Sequence, residues 1–357
     1  VFARSRSVVG LDIGSSAIKA IELKPSGKGF KVVGFGTEPV PPDSIVDGAI
    51  IDGAAVADAI RRVFEVNGLK TKEVAASLSG NAVIVKKISL PPMTAAELNE
   101  SIYWEAEQYI PFAVQDVNLD YQVLAGAPDP KHGTTPGGGM DVLLVAAKKE
   151  KIADYTGVIS QAGRLPVVVD VDAFALQNAY EVNYGIEPGA VVALVNAGAS
   201  AININVISGD QSHFTRDISI GGNTYTEALQ KELHLSHDQA EQLKRGVGVN
   251  GIDFEQARPV LRAVTENVLL EVQKTFDFFR GTTGTDRIDR LVLSGGTSRV
   301  DAFAEMLAER FEAEVETFDP FRAISFDAAR FGVESTADVA ATMAVAAGLA
   351  LRRVNDR

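Results

Sequence analysis

At the start of the chain, short apolar runs of period two are separated by clusters of small residues, which predicts strands joined by tight turns. The runs fall at 8–13, 17–23 and 30–37, with Gly14-Ser15-Ser16 and residues 25–29 between them. The period then lengthens. Val56, Ile60, Val63 and Phe64 share a helical face, with Asp52 placed to cap its start and Asn67-Gly68 to end it. A strand at 83–90 is stopped by Pro91-Pro92. Thr94 and Glu97 follow as a capping-box pattern, because hydroxyl and carboxylate can each satisfy a free amide of the first turn. That helix carries Leu98, Ile102, Ala106 and Tyr109 on one side, and further strands are predicted at 119–124 and 141–147. Between these strands, residues 128–139 are rich in Gly, Pro and Thr and read as a mobile hairpin tip.

The second half repeats the opening. A strand at 191–195 is broken by Asn196-Ala197-Gly198-Ala199-Ser200, resumes at 201–207, turns at Ser208-Gly209-Asp210 and returns at 212–218. A repeat of this kind, spaced by about half the chain, predicts two related α/β lobes facing each other. Val260, Val264, Val268, Val272 and Phe276 recur every four residues and mark a long buried helix face. Residues 291–299 read as a buried strand feeding a Gly295-Gly296 turn, with a helix from about Asp301.

Composition narrows the function. A chain of 357 residues, 46% apolar and 23% charged, suits a soluble protein of two lobes. A net charge of -13 opposes a general nucleic-acid surface or an anionic-membrane surface by long-range repulsion. The absence of cysteine rules out disulfides and thiolate metal sites and fits a reducing cytoplasm. Among the four histidines, His234 and His237 could share a helix face, but with no third ligand nearby they read as a surface pair. No apolar run approaches the ~20 residues needed to span a bilayer, so direct membrane insertion is not expected.

Three turns carry candidate chemistry. In the first, Gly14 lets backbone approach a phosphate, Ser15 and Ser16 offer donors, and Asp12 could hold a magnesium ion through its water shell. Lys19 adds a cation nearby. In the second, Asn196, Gly198, Ala199 and Ser200 occupy the equivalent turn of the other lobe, and two such turns can pinch a polyphosphate between them. In the third, Gly295, Gly296 and Thr297 would let a flat base or ribose lie on bare backbone, although taken singly the segment is an ordinary β–α connection. Asp170 and Asp172 are read as pointing apart, each either approaching the phosphates or holding a strand end. No residue stands out as a base for activating water.

Together these turns resemble the actin, sugar-kinase and heat-shock-chaperone superfamily, over nearly the whole chain. The segment Gly221-Gly222-Asn223-Thr224-Tyr225-Thr226 is similar to that superfamily's Gly-Gly turn, and 240–245 to its adenosine-contacting helix. By that resemblance Gly222 and Asn223 join the site, and Glu241 and Lys244 would contact ribose or base; read locally, the two are a charged helix face. Residues 167–180 and 338–353 are similar to its two connecting helices, the second with Ala340, Ala344, Ala347 and Gly348 for close packing. Within the superfamily, Ala106-Glu107-Gln108-Tyr109-Ile110-Pro111-Phe112, residues 119–124 and 169–176 resemble the PilM family of type IV pilus proteins, relatives of FtsA.

The resemblance implies an actin-like ATPase fold: two RNase-H-like lobes, a nucleotide cleft and an inserted subdomain. It divides the chain into first-lobe segments at 1–81 and 150–188 around an insertion at 82–149. Second-lobe core at 189–225 and 286–335 flanks a small subdomain at 226–285, and 336–357 returns to the first lobe. ATP and magnesium are the implied ligands. Asn196 stands where the superfamily usually has Asp, which implies slow or negligible hydrolysis. The implied function is a cytoplasmic adaptor of the inner-membrane pilus platform. Its implied partners are the N-terminal tail of PilN and other platform proteins, with self-association a further mode to test. The alternatives are an FtsA-like filament protein of cell division and a small-molecule kinase of the same superfamily.

Overall fold

The computed structural model describes residues 7–125, 139–283 and 287–354. The expected hairpin tip lies outside them except for Gly139. Strands β1 (Val9–Ile13), β2 (Ala17–Ser26) and β3 (Gly29–Pro39) form an antiparallel meander. A small hairpin of β4 (Ile45–Val46) and β5 (Ala49–Ile50) leads into α1 (Gly53–Val66). Asp52 caps that helix, accepting from the Ala55 amide at 3.0 Å, a contact of about 1 kcal/mol. Val56, Ile60, Val63 and Phe64 are buried beneath it. β6 (Glu73–Leu78) then pairs in parallel with β1.

The insertion builds its own layer. β7 (Val83–Leu90), α2 (Ala95–Ala106), β8 (Val117–Ala125) and β9 (Met140–Lys148) make a sheet of order β7-β9-β8 under one helix. Leu98, Ile102 and Ala106 of α2 bury against Val142, Leu144 and Ala146 of β9. The Thr94–Glu97 capping box is formed. The chain re-enters the first lobe through α3 (Lys149–Gln161), β10 (Leu165–Val171) and α4 (Asp172–Tyr184), with β10 parallel to β6.

The second lobe opens with β11 (Val191–Ala197), β12 (Ile202–Ser208) and β13 (Gln211–Ile218). Helices α5 (Gly222–Leu233), α6 (His237–Lys244) and α7 (Phe254–Thr283) follow, and α7 buries Val264, Val268, Val272 and Phe276 as the four-residue spacing predicts. β14 (Arg290–Ser294), α8 (Phe303–Phe311) and β15 (Glu314–Thr317) complete the lobe. The tail of the chain holds β16 (Ile324–Ser325), α9 (Ala337–Ala340) and α10 (Ala344–Ala350).

The sheet orders β3-β2-β1-β6-β10 and β13-β12-β11-β14-β15 are the same, three antiparallel strands followed by two parallel ones. The lobes are thus two copies of one RNase-H-like unit. Between them lie the connecting helices. On α4, Leu176, Ala179 and Tyr180 pack on Val192, Leu194 and Ile207 of the second lobe, while Ala175 packs on Val8 and Ala75 of the first. A Cβ on Gly348 of α10 would run into the Ala175 backbone, so the small residues there do permit close helix contact.

One boundary differs from the sequence reading. Residues 286–335 were assigned wholly to the second lobe, but β16 pairs in parallel with β3 on the first sheet. The cause is apolar. Phe321 stacks on Phe326 at 4.5 Å, and Phe326 meets Phe35 of β3 edge-on at 5.3 Å, covering what would be an exposed sheet edge.

Candidate functional site

Each sheet presents its first hairpin to the cleft, and strand register places equivalent residues opposite each other. Asp12 faces Lys19 across β1–β2, and Lys19 Nζ donates to Asp12 Oδ2 at 2.8 Å. Asn196 faces Asn203 across β11–β12, its Nδ2 donating to Asn203 Oδ1 at 3.0 Å. The turns close alike: the Gly14 amide donates to the Ala17 carbonyl at 3.2 Å, and the Gly198 amide to that of Ala201 at 2.9 Å. The amides of Ser15, Ser16, Ala199 and Ser200 make no backbone–backbone hydrogen bond among the described residues, which leaves them for an anion. The turns touch where the Ser200 hydroxyl donates to that of Ser15.

A cavity of about 610 Å³ opens between the lobes, a size that suits a cofactor. Every candidate binding residue except Asn223 lines it. Asn223 is exposed, and its amide donates to the Ala199 carbonyl at 2.8 Å, so it braces the second turn from behind. Lys19 differs in a smaller way: it is committed to Asp12 rather than free.

The far wall is built from close backbone. Gly222 begins α5, its amide donating to the Gly198 carbonyl at 3.0 Å, and Thr297 Oγ1 donates to the same carbonyl at 2.7 Å. A Cβ on Gly222 would sit 2.8 Å from Thr297 Oγ1. Gly295 has φ 87°, and a side chain there would strike the Ala197 backbone. At Gly296 a Cβ would meet open space, so a flat ring could lie there. Glu241 and Lys244 close a pair at 2.5 Å, and Lys244 also donates to Thr226 Oγ1 at 2.8 Å and to the Gly222 carbonyl at 3.1 Å. Burial disfavours the Glu241 carboxylate, but Lys244 and Thr226 outweigh it and hold its pKa below the usual value. The two residues are a fixed wall of the cavity, not a solvated helix face.

Other residues also line the cavity, and of the two carboxylates singled out in the sequence Asp172 is the one that does. Asp172, the first residue of α4, accepts from Ser77 Oγ at 2.5 Å. Burial and then the nearby Asp12 charge push its carboxyl up to about 6, against the pull of Ser77 and Ser79. Asp170 turns away to Arg352, at 3.5 Å, because β10 ends at Val171 and a helix begins. Gly48, at the tip of the β4–β5 hairpin, offers its carbonyl to Lys151 Nζ and, at 3.0 Å, to Tyr155 Oη. Burial, reinforced by Asp172 and Asp12, raises the Tyr155 pKa, so its hydroxyl stays a donor. Asn203 could have been found: it stands seven residues after Asn196, as Lys19 does after Asp12.

Among the described residues no cluster of three or more His, Asp or Glu side chains is arranged to hold a metal.

Comparison with known proteins places this architecture. A family profile described as type IV pilus assembly protein PilM matches residues 10–354. The chain belongs to the PilM family. A solved PilM–PilN type IV pilus biogenesis complex contains a chain 30% identical to this one at a TM-score of 0.84, covering 99% of this chain and 100% of that one. The cell division protein FtsA of Streptococcus pneumoniae serotype 2 is 22% identical over 89% of this chain and 76% of its own length. MreB 5 of Spiroplasma citri, solved with AMPPNP, has a TM-score of 0.52 at 14% identity, covering 97% of this chain and 95% of that one. These likenesses establish an actin-like ATPase fold with the inserted subdomain of PilM. They do not favour FtsA over PilM.

Proposed function

We propose that this chain is a nucleotide-binding adaptor of the type IV pilus inner-membrane platform, recruited by the N-terminal tail of a PilN-type membrane protein. The observation that carries this reading is the match, over 99% of the chain, to the PilM-like half of a PilM–PilN complex. No helix among the described residues is long and apolar enough to cross a membrane, so a protein partner would hold the chain at the inner membrane from the cytoplasm.

The cleft fits ATP. Four free turn amides meet the phosphates' need for donors, and the backbone wall at Gly295-Gly296 meets the base. Magnesium, when bound, would neutralise phosphate charge, with Asp12 as its protein ligand through water. Asn196 supplies no second charge beside it, which supports slow or negligible hydrolysis. Asp172 favours a second reading, weak ATPase activity, because a carboxyl with a pKa of about 6 can take a proton near neutral pH.

The tail has a candidate seat. A groove of about 520 Å³ on the inserted subdomain is lined by Tyr103 and Trp104 of α2, by Glu107 just past its end, and by Val114, Val117 and Leu119. Trp104 is 73% exposed and Tyr103 50%. β8 is an edge of its sheet, so an extended segment could add main-chain hydrogen bonds beside these pockets. Trp104 is the only tryptophan in the chain, which makes it a built-in probe. Titration with a synthetic PilN-type cytoplasmic tail should give saturable one-to-one binding by calorimetry and a matching change in tryptophan emission. Trp104→Ala should weaken it by about 2 kcal/mol, near thirty-fold. No binding to the folded protein would overturn the adaptor reading.

A further inference from the structure

A directed chain of hydrogen bonds runs from the cleft into the other lobe. Ser294 Oγ donates to Asn196 Oδ1 at 3.3 Å, Asn196 Nδ2 to Asn203 Oδ1 at 3.0 Å, and Asn203 Nδ2 to Asp217 Oδ1 at 2.8 Å. The other oxygen of Asp217 accepts from the Gly80 amide at 2.5 Å. Asp217 belongs to β13 of the second lobe, whereas Gly80 lies in the β6–β7 loop of the first, at the root of the inserted subdomain. Asn196 and Asn203 each accept on one side and donate on the other, and Asp217 accepts from both lobes, so it is the point where the two sets of donors meet.

The same loop also borders the cleft. Ser79 lines the cavity and acts on the Asp172 carboxyl, drawing its pKa down. Three residues beyond Gly80 the chain enters β7, which runs beside β13, close enough for Lys87 to depress the pKa of His213 after burial has done so. Gly80 has φ 81°, a conformation that glycine adopts without strain, and a Cβ there would meet nothing. The Gly80 amide is thus tied to the second lobe by its hydrogen bond to Asp217, with no side chain of its own to pack.

We infer that Asp217 is a positioning residue that couples occupancy of the cleft to the inserted subdomain. Asn196 and Asn203 line the cavity at the second turn, so a polyphosphate bound there bears on the amides that orient Asp217. A shift of the second lobe then reaches Gly80 and β7 through one charge-assisted hydrogen bond. The inference rests on the nucleotide reading of the cleft and adds its route of regulation. It also accounts for Asn196. An Asp there would offer Asn203 no donor, and Asn203 could answer only by turning its amide away from Asp217.

The test is amide hydrogen exchange of residues 79–90, with and without magnesium-ATP, in the wild type, Asp217→Ala and Asp217→Asn. Calorimetry on the same samples reports nucleotide binding. Magnesium-ATP should change wild-type exchange in this segment by about five-fold or more. Asp217→Ala should bind magnesium-ATP within about three-fold of wild type yet lose that response, while Asp217→Asn, which keeps one acceptor, should retain part of it. Saturable nucleotide binding with no exchange change in the wild type would overturn the coupling and spare the cleft. A full response in Asp217→Ala would do the same. Absence of nucleotide binding in all three proteins would overturn both together.

Discussion

In the first hairpin Asp12 and Lys19 form an ion pair of 2.8 Å; at the same register positions of the second, Asn196 and Asn203 form a neutral pair of 3.0 Å. The turns between them are closed by the same amide-to-carbonyl bond, and their hydroxyls meet at Ser15 and Ser200. Backbone thus repeats where side-chain chemistry has diverged. The charged copy stands beside Asp172, and its Asp12 adds to burial in pushing that carboxyl up. The neutral copy continues through Asp217 into the opposite lobe. Duplication has left one hairpin suited to holding charge and the other to passing on position.

The largest effect should come from the charged copy. Asp12→Ala leaves Lys19 unpaired and removes the carboxylate nearest the first turn, and magnesium-ATP affinity should fall by about 2–3 kcal/mol, roughly fifty-fold, in a calorimetric titration. Asn196→Ala in the neutral copy should cost several-fold less. Equal losses at the two sites would break the comparison.

Asp172 gives the next effect. Its folded-state pKa of about 6 lies above the ordinary value, so the folded protein holds this proton more tightly than the unfolded chain. Ionisation therefore lowers stability as pH rises from about 4 to about 6, and the cost then stays constant. Asp172→Asn should stabilise the protein by about 1–3 kcal/mol at pH 8, with a smaller gain toward pH 5, in thermal unfolding. A gain independent of pH would mean that Asp172 is not the titrating group.

Asn196→Asp sharpens the contrast further. It should tighten the magnesium dependence of nucleotide binding by about 1 kcal/mol through an added negative charge near the phosphates. Its turnover should rise from the wild-type level in a phosphate-release assay. The smallest effect belongs to the shared feature: in a double-mutant cycle of Ser15→Ala and Ser200→Ala, measured on unfolding, the coupling should be about 1 kcal/mol or less.

Most of this architecture was legible because it is local. The two glycine turns, the caps at Asp52 and Thr94 and the four-residue stripe on α7 are each written within a short window. The cleft emerged from pairing two such windows. What was hidden depends on register and crossing. Asp172 reaches the cavity because β10 stops one residue earlier, and Asp217 meets Gly80 across 137 positions. The sequence singled out Asp172 without deciding between the phosphates and the strand end, and nothing near Asp217 marks its contact. The return of the chain at Ile324 was missed for a similar reason: a two-residue strand has no period to detect. Lys19 lines the cavity, and its partner was legible only once β1 and β2 were set in register.

The most direct measurement is a calorimetric titration of the chain with ATP in magnesium and again in EDTA. The account predicts one saturable site per chain in magnesium and a weaker one without it. A folded protein that takes up no nucleotide in either condition would contradict the assignment of the cleft.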